Sequence, residues 1–406
     1  MTRSTPLHLA VALDGAGWHP AAWRSPGARP GDLFTADYWR DLVTTAERGS
    51  LDFVTIEDSL GPRSSRRDGV DDRTDHVRGR LDAALLAARV APLTSHIGLV
   101  PTVTTTHTEP FHVSTALATL DFASKGRAGW QVKVSASATE AAHFGRRRIP
   151  PIDHERRHDP ETVRAITQLF GEAADTVEVV RRLWDSWEDD AVIRDVTTGR
   201  FVDRDKLHYV DFAGDWFSVR GPSITPRPPQ GQPVVTALAH AEAAYLLAAR
   251  AADVVFVTPH DIEEADAAVS AVRDAERAAG RDGEPLRVFV DLVVFVDTDD
   301  ETAGRRKALL DELDGAEYAS DAAVFVGTAD RLADLLTTWR RVGVDGFRLR
   351  PGVLPHDLTA LTERLVPALQ ARDAFRRHYE QSTLRGLLGL TRPASRYTAA
   401  AATPAT

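Results

Sequence analysis

Residues 125–137 read KGRAGWQVKVSAS, a turn with two glycines followed by a run that alternates in polarity. Glycine permits a tight turn, and the alternation from Trp130 onwards has the period of a strand whose side chains point in and out. A glycine-rich loop that cradles phosphate would open a helix, whereas this one precedes a strand. We therefore interpret the segment as the entry turn and full length of a buried strand, the fourth in the chain.

Seven further apolar runs carry a strand signature, with longer helical patterns between them. Alternating strands and helices are typical of parallel sheets, and eight such strands predict a (β/α)8 TIM barrel with its chemistry on the loops after the strands. One helix between them carries Trp39, Leu42, Val43 and Ala46 at the spacing of a face that packs on a sheet. The eight predicted strands are 7–14, 51–58, 96–102, 130–136, 232–238, 252–258, 286–296 and 344–350.

The barrel is predicted to form a single domain, residues 1–392. Within it, residues 137–232 are too long for one helix and two loops and include two proline-rich segments. We expect this insertion after the fourth strand to lie over the carboxyl-terminal face of the barrel. Residues 393–406 are poor in large apolar side chains and are predicted to be a disordered tail.

Composition limits the class of protein. The 406 residues are 43% hydrophobic and 27% charged, as in an ordinary globular protein. A net charge of −10 argues against nucleic acid or an anionic membrane as the main partner. No segment approaches the ~20 apolar residues of a membrane span, and the start lacks a signal-peptide pattern, so we expect a cytoplasmic protein. The absence of cysteine excludes disulfides, thiolate nucleophiles and cysteine-ligated metals.

Motifs for a metal or a nicotinamide cofactor receive little support. His154 and His158 are four residues apart, which could place both on one face of a helix. Prolines at positions 150, 151 and 160 disfavour a helix there. No Gly-x-Gly-x-x-Gly follows a strand, so a nicotinamide-binding module is not expected. We predict no metal site.

The barrel prediction selects the residues that follow each strand as candidates for the functional site. Each has a plainer alternative: Asp58 could cap a helix, His107 could be satisfied within its loop, and Arg350 could simply pair with a carboxylate. The candidates are Asp14, Trp18, His19, Asp58, Ser59, Thr102, Thr104, Thr105, Thr106, His107, Ser135, Ser137, Thr258, His260, Arg348 and Arg350.

Seven segments, taken in order, carry a family resemblance. The most specific is LDFASKGRAGWQVKVSASATEAAHFG (120–145); the others are AERGSLDFVTIEDS (46–59), IGLVPTVTTTHTEPFHV (97–113), VEVVRRLWDSWEDDA (177–191), RPPQGQPV (227–234), VGVDGFRL (342–349) and TLRGLLGL (383–390). Together they resemble the luciferase-like flavin-dependent monooxygenases, in particular the branch with nitrilotriacetate, EDTA and dibenzothiophene sulfone monooxygenases. A single segment would be weak, but seven in the family's order make the resemblance specific.

The resemblance implies a TIM barrel that binds reduced FMN at its carboxyl-terminal face and uses O2 to oxygenate a small organic substrate. It also implies a separate NAD(P)H-dependent flavin reductase that supplies the flavin, and a homodimer or homotetramer. Two alternatives stay open. One is a deazaflavin-dependent oxidoreductase of the same fold, and the other is a non-catalytic member that binds flavin weakly, another ligand or only a partner subunit.

Several flavin contacts carry over by position. Asp58 matches an aspartate near the flavin ring, and Thr102 and Thr104 match the hydroxyl region of the third strand. Gln131 stands where the family has asparagine, so the amide is kept but displaced by one methylene. Ser135 is retained, although the threonine before it is replaced by valine.

Other positions depart further from the family. His154 matches the start of a His-x-x-Arg-Tyr motif, but His158 replaces its tyrosine. After the fifth strand the family has Gln-Ala-Gly-x-Ser, which helps to hold the flavin phosphate at a helix N-terminus. Residues 237–241 here read ALAHA, so the glycine and the serine are lost, and we expect His240 to act as the substitute donor.

Two residues are expected to act on the substrate. His19, after the first strand, is predicted to be the titratable group nearest to it, as general acid–base or as a hydrogen-bond donor. Arg350, with Arg348 beside it at the top of the eighth strand, suggests that the substrate carries an anionic group.

Overall fold

The computed structural model describes residues 7–66, 68–149 and 159–400. The strands in chain order are β1 (His8–Leu13), β2 (Phe53–Ile56), β3 (Gly98–Thr104), β4 (Gly129–Lys133), β5 (Val192–Asp195), β6 (Arg200–Val202), β7 (Phe212–Ala213), β8 (Ser218–Val219), β9 (Val234–Leu238), β10 (Val254–Val257), β11 (Arg287–Asp297), β12 (Val324–Thr328) and β13 (Gly346–Pro351).

The helices alternate with these strands over most of the chain. They are α1 (Ala36–Arg48), α2 (Ala83–Val90), α3 (Pro110–Ala123), α4 (Ala138–Phe144), α5 (Pro160–Asp185), α6 (Glu242–Ala251), α7 (Ile262–Ala278), α8 (Asp300–Asp314), α9 (Ala329–Trp339), α10 (His356–Ala360), α11 (Val366–Ala371), α12 (Leu384–Leu387) and α13 (Arg396–Ala400). None of those that the structure describes has the length and apolar character that crossing a bilayer would require.

Eight parallel strands close into a barrel, which confirms the predicted fold. The hydrogen-bonded order is β1, β2, β3, β4, β9, β10, β11 and β13, and β13 returns to pair with β1. Each of these strands matches one of the eight predicted runs. Their burial explains the match, since strands covered by helices on the outside and filled on the inside read as nearly continuous apolar runs.

Strand β12 was not predicted from the sequence. It pairs with the second half of β11, from Val293 to Asp297, beyond the point at Val290 where the pairing of β11 with β10 ends. Strand β11 is long enough to pair with β10 along its first half and with β12 along its second half. A run as short as β12, half-buried at alternate positions, gives no distinctive signal in the sequence.

The two glycines of the opening segment have separate roles. Gly126 has φ of +86°, a left-handed conformation that favours glycine. At Gly129 the backbone is extended, but an added Cβ would lie 2.8 Å from Val100 Cγ2 and 3.0 Å from the carbonyl oxygen of Val234. The first glycine therefore makes the turn, and the second allows β4 to lie close to the packed interior.

Arg127, between these glycines, forms hydrogen bonds that link the end of α3 to the turn before β3. Its guanidinium is buried and donates to the main-chain oxygens of Ser124, Ala91, Thr94 and Ile97 at 2.7 to 3.0 Å, and to the Thr94 hydroxyl at 2.9 Å. One side chain thus satisfies acceptors that belong to the end of α3 and to the turn before β3. Trp130, the next bulky residue, is fully buried and donates from Nε1 to the carbonyl oxygen of Val103 at 3.0 Å.

The C-terminal region plugs the barrel at the amino ends of its strands. Leu384 and Leu388 are fully buried and join a cluster of apolar side chains inside the barrel, including Phe53, Val100 and Phe289. At Gly98, the first residue of β3, an added Cβ would lie 2.6 Å from Leu384 Cδ1. The barrel interior at this end is therefore filled by apolar side chains.

The long region after β4 differs from its predicted role as a cover. Helix α5 packs between α3 and α6 in the outer layer, where its Trp184 donates from Nε1 to the carbonyl oxygen of Ser114 at 3.1 Å. It therefore serves as the crossover helix that a parallel β4–β9 connection requires. The additional structure is the pair of small hairpins β5–β6 and β7–β8.

Residues 393–398 also differ from the predicted disordered tail. Ser395 is buried, and Arg396 pairs with Glu178 at 2.9 Å and with Asp185 at 3.3 Å. The carbonyl oxygen of Pro393 accepts from Arg227 at 2.8 Å. Polar contacts order this segment, and such contacts leave no apolar signature in the sequence.

We predict that Arg127→Met destabilises the fold by about 2–4 kcal/mol, because it leaves several buried carbonyl oxygens without donors. The free energy of unfolding from denaturant titration measures the change. Arg89→Met, at an exposed position on α2, is the matched control and should change stability by less than about 0.5 kcal/mol. Equal effects of the two substitutions would show that the Arg127 hydrogen bonds are not structurally important.

Candidate active site

Two arginines and one aspartate share the interior of the barrel. Arg348 and Arg350 are two residues apart on β13, so the alternation of the strand sends both side chains to the same face. The pairing of β11 with β13 sets Asp291 opposite Arg348. Arg348 Nε donates to Asp291 Oδ1 at 2.7 Å, and Arg350 Nε donates to Asp291 Oδ2 at 2.9 Å. All three side chains are almost completely buried.

This charged cluster extends to the strand that carries the opening segment. Arg348 Nη1 donates to Gln131 Oε1 at 2.5 Å and to Glu57 Oε1 at 3.2 Å. Gln131 Nε2 donates to Glu57 Oε2 at 3.1 Å. At the other end, Arg350 Nη1 donates to Asp321 Oδ1 at 2.6 Å. Gln131, a predicted flavin contact, therefore uses its amide within the protein.

Aromatic rings cover both guanidinium groups. Arg348 Cζ lies 3.9 Å from the ring centroid of Phe256, and Arg350 Cζ lies 4.5 Å from that of Trp18. Burial alone would lower the pKa of Arg350, but the carboxylates of Asp291 and Asp321 outweigh it and raise that pKa above its usual range. Arg350 is thus a structural residue whose positive charge is neutralised by carboxylates, as the plainer alternative proposed. This corrects its predicted role on the substrate.

Asp58 ties the end of β2 to the start of α2. Its Oδ2 accepts from the main-chain N–H of Ala83 at 2.9 Å and its Oδ1 from that of Ser59 at 2.7 Å. Burial raises its pKa, and these two N–H groups counteract the rise. The capping alternative is therefore realised. The main-chain oxygen of Asp58 also accepts from Lys133 Nζ at 2.7 Å, which brings β4 to the same place.

Glu140 accepts hydrogen bonds from hydroxyl groups of two barrel loops. Ser135 Oγ donates to Glu140 Oε2 at 2.5 Å, and Ser59 Oγ donates to Glu140 Oε1 at 2.7 Å. The main-chain N–H of Ser135 donates to Thr106 Oγ1 at 2.9 Å. These hydrogen bonds join the loops after β2, β3 and β4, and the hydroxyl of Ser135 takes part in them.

Two buried threonines flank Gln131 on the neighbouring strands. The pairing of β3, β4 and β9 aligns Thr102 and Thr236 with Gln131. Among the residues that the structure describes, neither Thr102 Oγ1 nor Thr236 Oγ1 has a hydrogen-bond partner. A buried hydroxyl without a partner is uncommon, so these two groups fit the polar edge of a ligand. Thr104, also buried, accepts at its main-chain oxygen from Thr108 Oγ1 at 2.6 Å.

The start of α6 provides a second place for a ligand. Ala241 is the N-cap residue and makes no side-chain cap, and both His240 and Ala241 are exposed. The pairing of β9 with β4 places this start beside the end of β4. The N–H groups in the first turn of a ten-residue helix, with its positive dipole end, fit a phosphate group.

His19 does not lie where a substrate could reach it. The residue is almost fully buried, its Nε2 lies 3.0 Å from Asp311 Oδ1, and its Nδ1 accepts from the N–H of Ala21 at 3.1 Å. Burial lowers its pKa, although Asp311 opposes the effect. With both ring nitrogens bound and the rings of Phe295 and Tyr318 beside it, His19 is a structural histidine, which corrects its predicted role.

Two predicted contacts, His154 and His158, lie outside the described residues. Elsewhere, Asp75, His76 and Asp314 come close enough together to suggest a cation site. Arg73 already forms ion pairs with Asp75 at 2.7 Å and with Asp314 at 2.8 Å. A positive charge is thus present there, and we assign no metal to this cluster.

The carboxylates that pair with the arginines of the barrel interior were not among the residues predicted from the sequence. Asp291 is the single charge within the apolar run VFVDLVVFV, residues 288–296. A lone carboxylate in a buried strand requires a cationic partner, and this signal could have identified it. Lys133 was also overlooked, although strand alternation puts it on the same face as Gln131. Glu57, one residue before Asp58, gave no comparable signal.

Comparison with known proteins agrees with this architecture. The family model for luciferase-like monooxygenase matches residues 16–340. The chain is 31% identical to N-acetyl-S-(2-succino)cysteine monooxygenase of Bacillus subtilis (strain 168), over 98% of this chain and 99% of that protein. It is also 31% identical to nitrilotriacetate monooxygenase component A of Aminobacter aminovorans, over 97% and 98%. The crystal structure of riboflavin lyase (RcaE) with modified FMN and riboflavin has a TM-score of 0.82 at 26% identity, over 97% of this chain and 98% of that one.

We predict that Asp291→Asn destabilises the protein by about 3–5 kcal/mol, because it leaves two buried arginines without their shared counter-charge. Denaturant unfolding monitored by tryptophan fluorescence measures the change. Asp274→Asn removes an exposed carboxylate paired with Arg277 on α7 and should cost less than about 1 kcal/mol. A loss at Asp291 no larger than that of the control would contradict the structural role of the cluster.

Proposed function

Because the chain belongs to the luciferase-like monooxygenase family, we propose that it is an oxidoreductase that uses reduced FMN and O2 to oxygenate a small organic substrate. The observation that carries the proposal is the carboxyl-terminal end of the barrel. There, the unpartnered hydroxyl of Thr102 and the uncapped start of α6 lie on strands that flank β4. These are donors and acceptors that the protein itself leaves unused.

The residues present fit a flavin in this half of the barrel. The N–H groups at the start of α6 would bind its phosphate, with the imidazole of His240 as an added donor. Thr102 and Asp58 would face the polar edge of its ring, as the family pattern suggests. When bound, reduced FMN supplies the electrons that activate O2. The task of the chain is to orient flavin and substrate and to keep water from both.

The loop from residue 57 to residue 82 is suited to exclude water. It follows β2 and is tied down at two points, since Arg63 forms an ion pair with Asp14 and Arg73 pairs with Asp314 at 2.8 Å. These contacts connect the loop to the end of β1 and to α8. A cover fixed by ion pairs at the mouth of a barrel supports oxygen chemistry, which requires a site shielded from solvent.

We further propose that a separate NAD(P)H-dependent reductase supplies the reduced flavin. The sequence has no glycine-rich nicotinamide motif after a strand, so electrons would arrive with the flavin. Homodimers or homotetramers are part of the same proposal.

A non-catalytic flavin-binding role is the second candidate, and specific contacts favour it. The amide of Gln131 is already bonded to Arg348 and Glu57. Residues 237–241 lack the family's glycine and serine, and Glu242 adds a negative charge in the first turn of α6. A weakened phosphate site would reduce the affinity for FMN without altering the barrel.

Anaerobic titration with reduced FMN, followed by mixing with O2, tests the proposal. We expect a dissociation constant in the micromolar range and, on mixing, flavin oxidation whose time course differs from that of free reduced FMN. Binding followed by oxidation indistinguishable from that of free flavin would select the non-catalytic candidate. Tighter binding of a reduced deazaflavin than of FMN would select the deazaflavin alternative, and no flavin binding at all would refute the proposal.

Two substitutions at the start of α6 should act in opposite directions. His240→Ala removes a donor and should weaken FMN binding by about 2- to 10-fold, whereas Ala241→Ser adds a hydroxyl and should tighten it by a similar factor. Riboflavin lacks the phosphate, so its affinity should change by less than twofold in both variants. Equal shifts for FMN and riboflavin would place the phosphate elsewhere.

A further inference from the structure

A cavity of about 210 Å3, here termed the mouth pocket, lies between the loop after β2 and the segment after β4. Its volume is below the ~300–1,000 Å3 typical of a whole drug-sized ligand, so it suits one head group. Polar and cationic side chains dominate its lining, including Ser59, Arg63, Arg66, Arg80, Lys133 and Ser137.

Two of its arginines are already neutralised, and one is not. Arg63 forms an ion pair with Asp14, and Arg66 pairs with Asp72 at 3.2 Å. Arg80 is half-buried, and across residues 7–66, 68–149 and 159–400 it has neither an ion pair nor a side-chain hydrogen bond. Its five N–H donors therefore remain available.

Lys133 faces the same space with an incomplete set of partners. Its Nζ donates to the main-chain oxygen of Asp58 at 2.7 Å, and among the described residues it forms no ion pair with a carboxylate. Burial lowers its pKa, the charges of Glu57, Glu140 and Asp58 raise it, and that of Arg80 lowers it. The side chains of Lys133 and Arg80 both line the mouth pocket.

The carboxylates around the pocket are occupied by other donors. Glu140 accepts from the hydroxyls of Ser59 and Ser135. Asp68 accepts from Ser137 Oγ at 2.5 Å and from the N–H of Thr139 at 2.9 Å. Their negative charges are present at the rim, and these carboxylates already accept hydrogen bonds from neutral donors. An incoming oxyanion could bind Arg80 and Lys133 without displacing these bonds.

We propose that the mouth pocket binds an oxyanion head group of the substrate, a carboxylate, sulfonate or phosphate, through Arg80 and Lys133. The inference rests on the proposed function, because it takes the ligand to be the compound that is oxygenated. Lys133 ends β4 and Ser59 closely follows β2, so the head group lies at the end of the barrel where such folds carry out chemistry.

Recognition of an anion was expected at Arg348 and Arg350 and is proposed here at Arg80 and Lys133. Arg348 and Arg350 are buried against Asp291, which is a sufficient reason for their presence. The free donors lie one layer further out, on Arg80 and Lys133. An acid bound there gains charge-assisted hydrogen bonds from both cations.

Calorimetric titration without flavin tests the pocket, with succinate and methanesulfonate as probes and succinamide as the neutral match for succinate. We expect both acids to bind the wild-type protein and succinamide not to bind. Arg80→Gln and Lys133→Gln should each weaken acid binding by at least tenfold, and Arg80→Lys should restore part of it. Arg89→Gln, which removes an exposed positive charge on α2, should change it by less than twofold.

Three results would overturn the inference: no acid binding to the wild type, equal binding by wild type and both variants, or an equal loss in Arg89→Gln. Thermal unfolding shows which variants fold, and Arg80→Gln on its own suffices if Lys133→Gln does not. A parallel titration compares FMN with riboflavin. If Arg80→Gln abolishes the preference for FMN while free acids fail to bind, the pocket belongs to the cofactor phosphate and the inference fails. If the wild type binds acids but no flavin, the proposed function fails while the acid-binding pocket stands.

Discussion

A single aspartate buried between two arginines is the interaction on which the barrel interior depends. Burying three charged groups costs desolvation free energy, and their mutual attraction offsets it only when the geometry is fixed and every hydrogen bond is made. Asp291 supplies one negative charge for Arg348 and Arg350, so the balance is completed by Glu57 and Asp321 at the two ends of the cluster. The carboxyl ends of β2, β4, β11 and β13 are thereby held in one arrangement.

This cluster divides the ligand-facing end of the barrel into two halves. On the side of β2, β11 and β13 the polar groups satisfy one another, and Gln131 on β4 is drawn into that half. On the side of β3, β4 and β9, within the part of the chain that the structure describes, the hydroxyls of Thr102 and Thr236 lack partners, and α6 begins without a side-chain cap. The mouth pocket, between the loops after β2 and β4, adds Arg80 and Lys133, which form no ion pair with a carboxylate among those residues.

Much of the architecture could be predicted because it depends on patterns among residues that are neighbours along the chain. The strand that follows Gly129 was found from its alternation, and the turn at Gly126 from the preference of glycine for a left-handed backbone. The region 137–232 was predicted as a cover because of its total length, and only the packing of α5 between α3 and α6 shows that this part of it is a crossover helix. Asp58 had two possible roles in the sequence, since a carboxylate after a strand can cap a helix or face a ligand, and the structure shows its contact with the first N–H group of α2.

The sequence by itself determined the barrel and the family resemblance, because strand and helix periodicities and turn preferences act over neighbouring residues. Only the tertiary structure decided which charged side chains are free. Arg350 and His19 resembled functional groups in the sequence. Their partners are distant along the chain: Asp291 lies 59 residues from Arg350 on a neighbouring strand, and Asp311 lies 292 residues from His19. Ion pairing depends on strand register and on distances through space, and spacing along the chain does not record either of them.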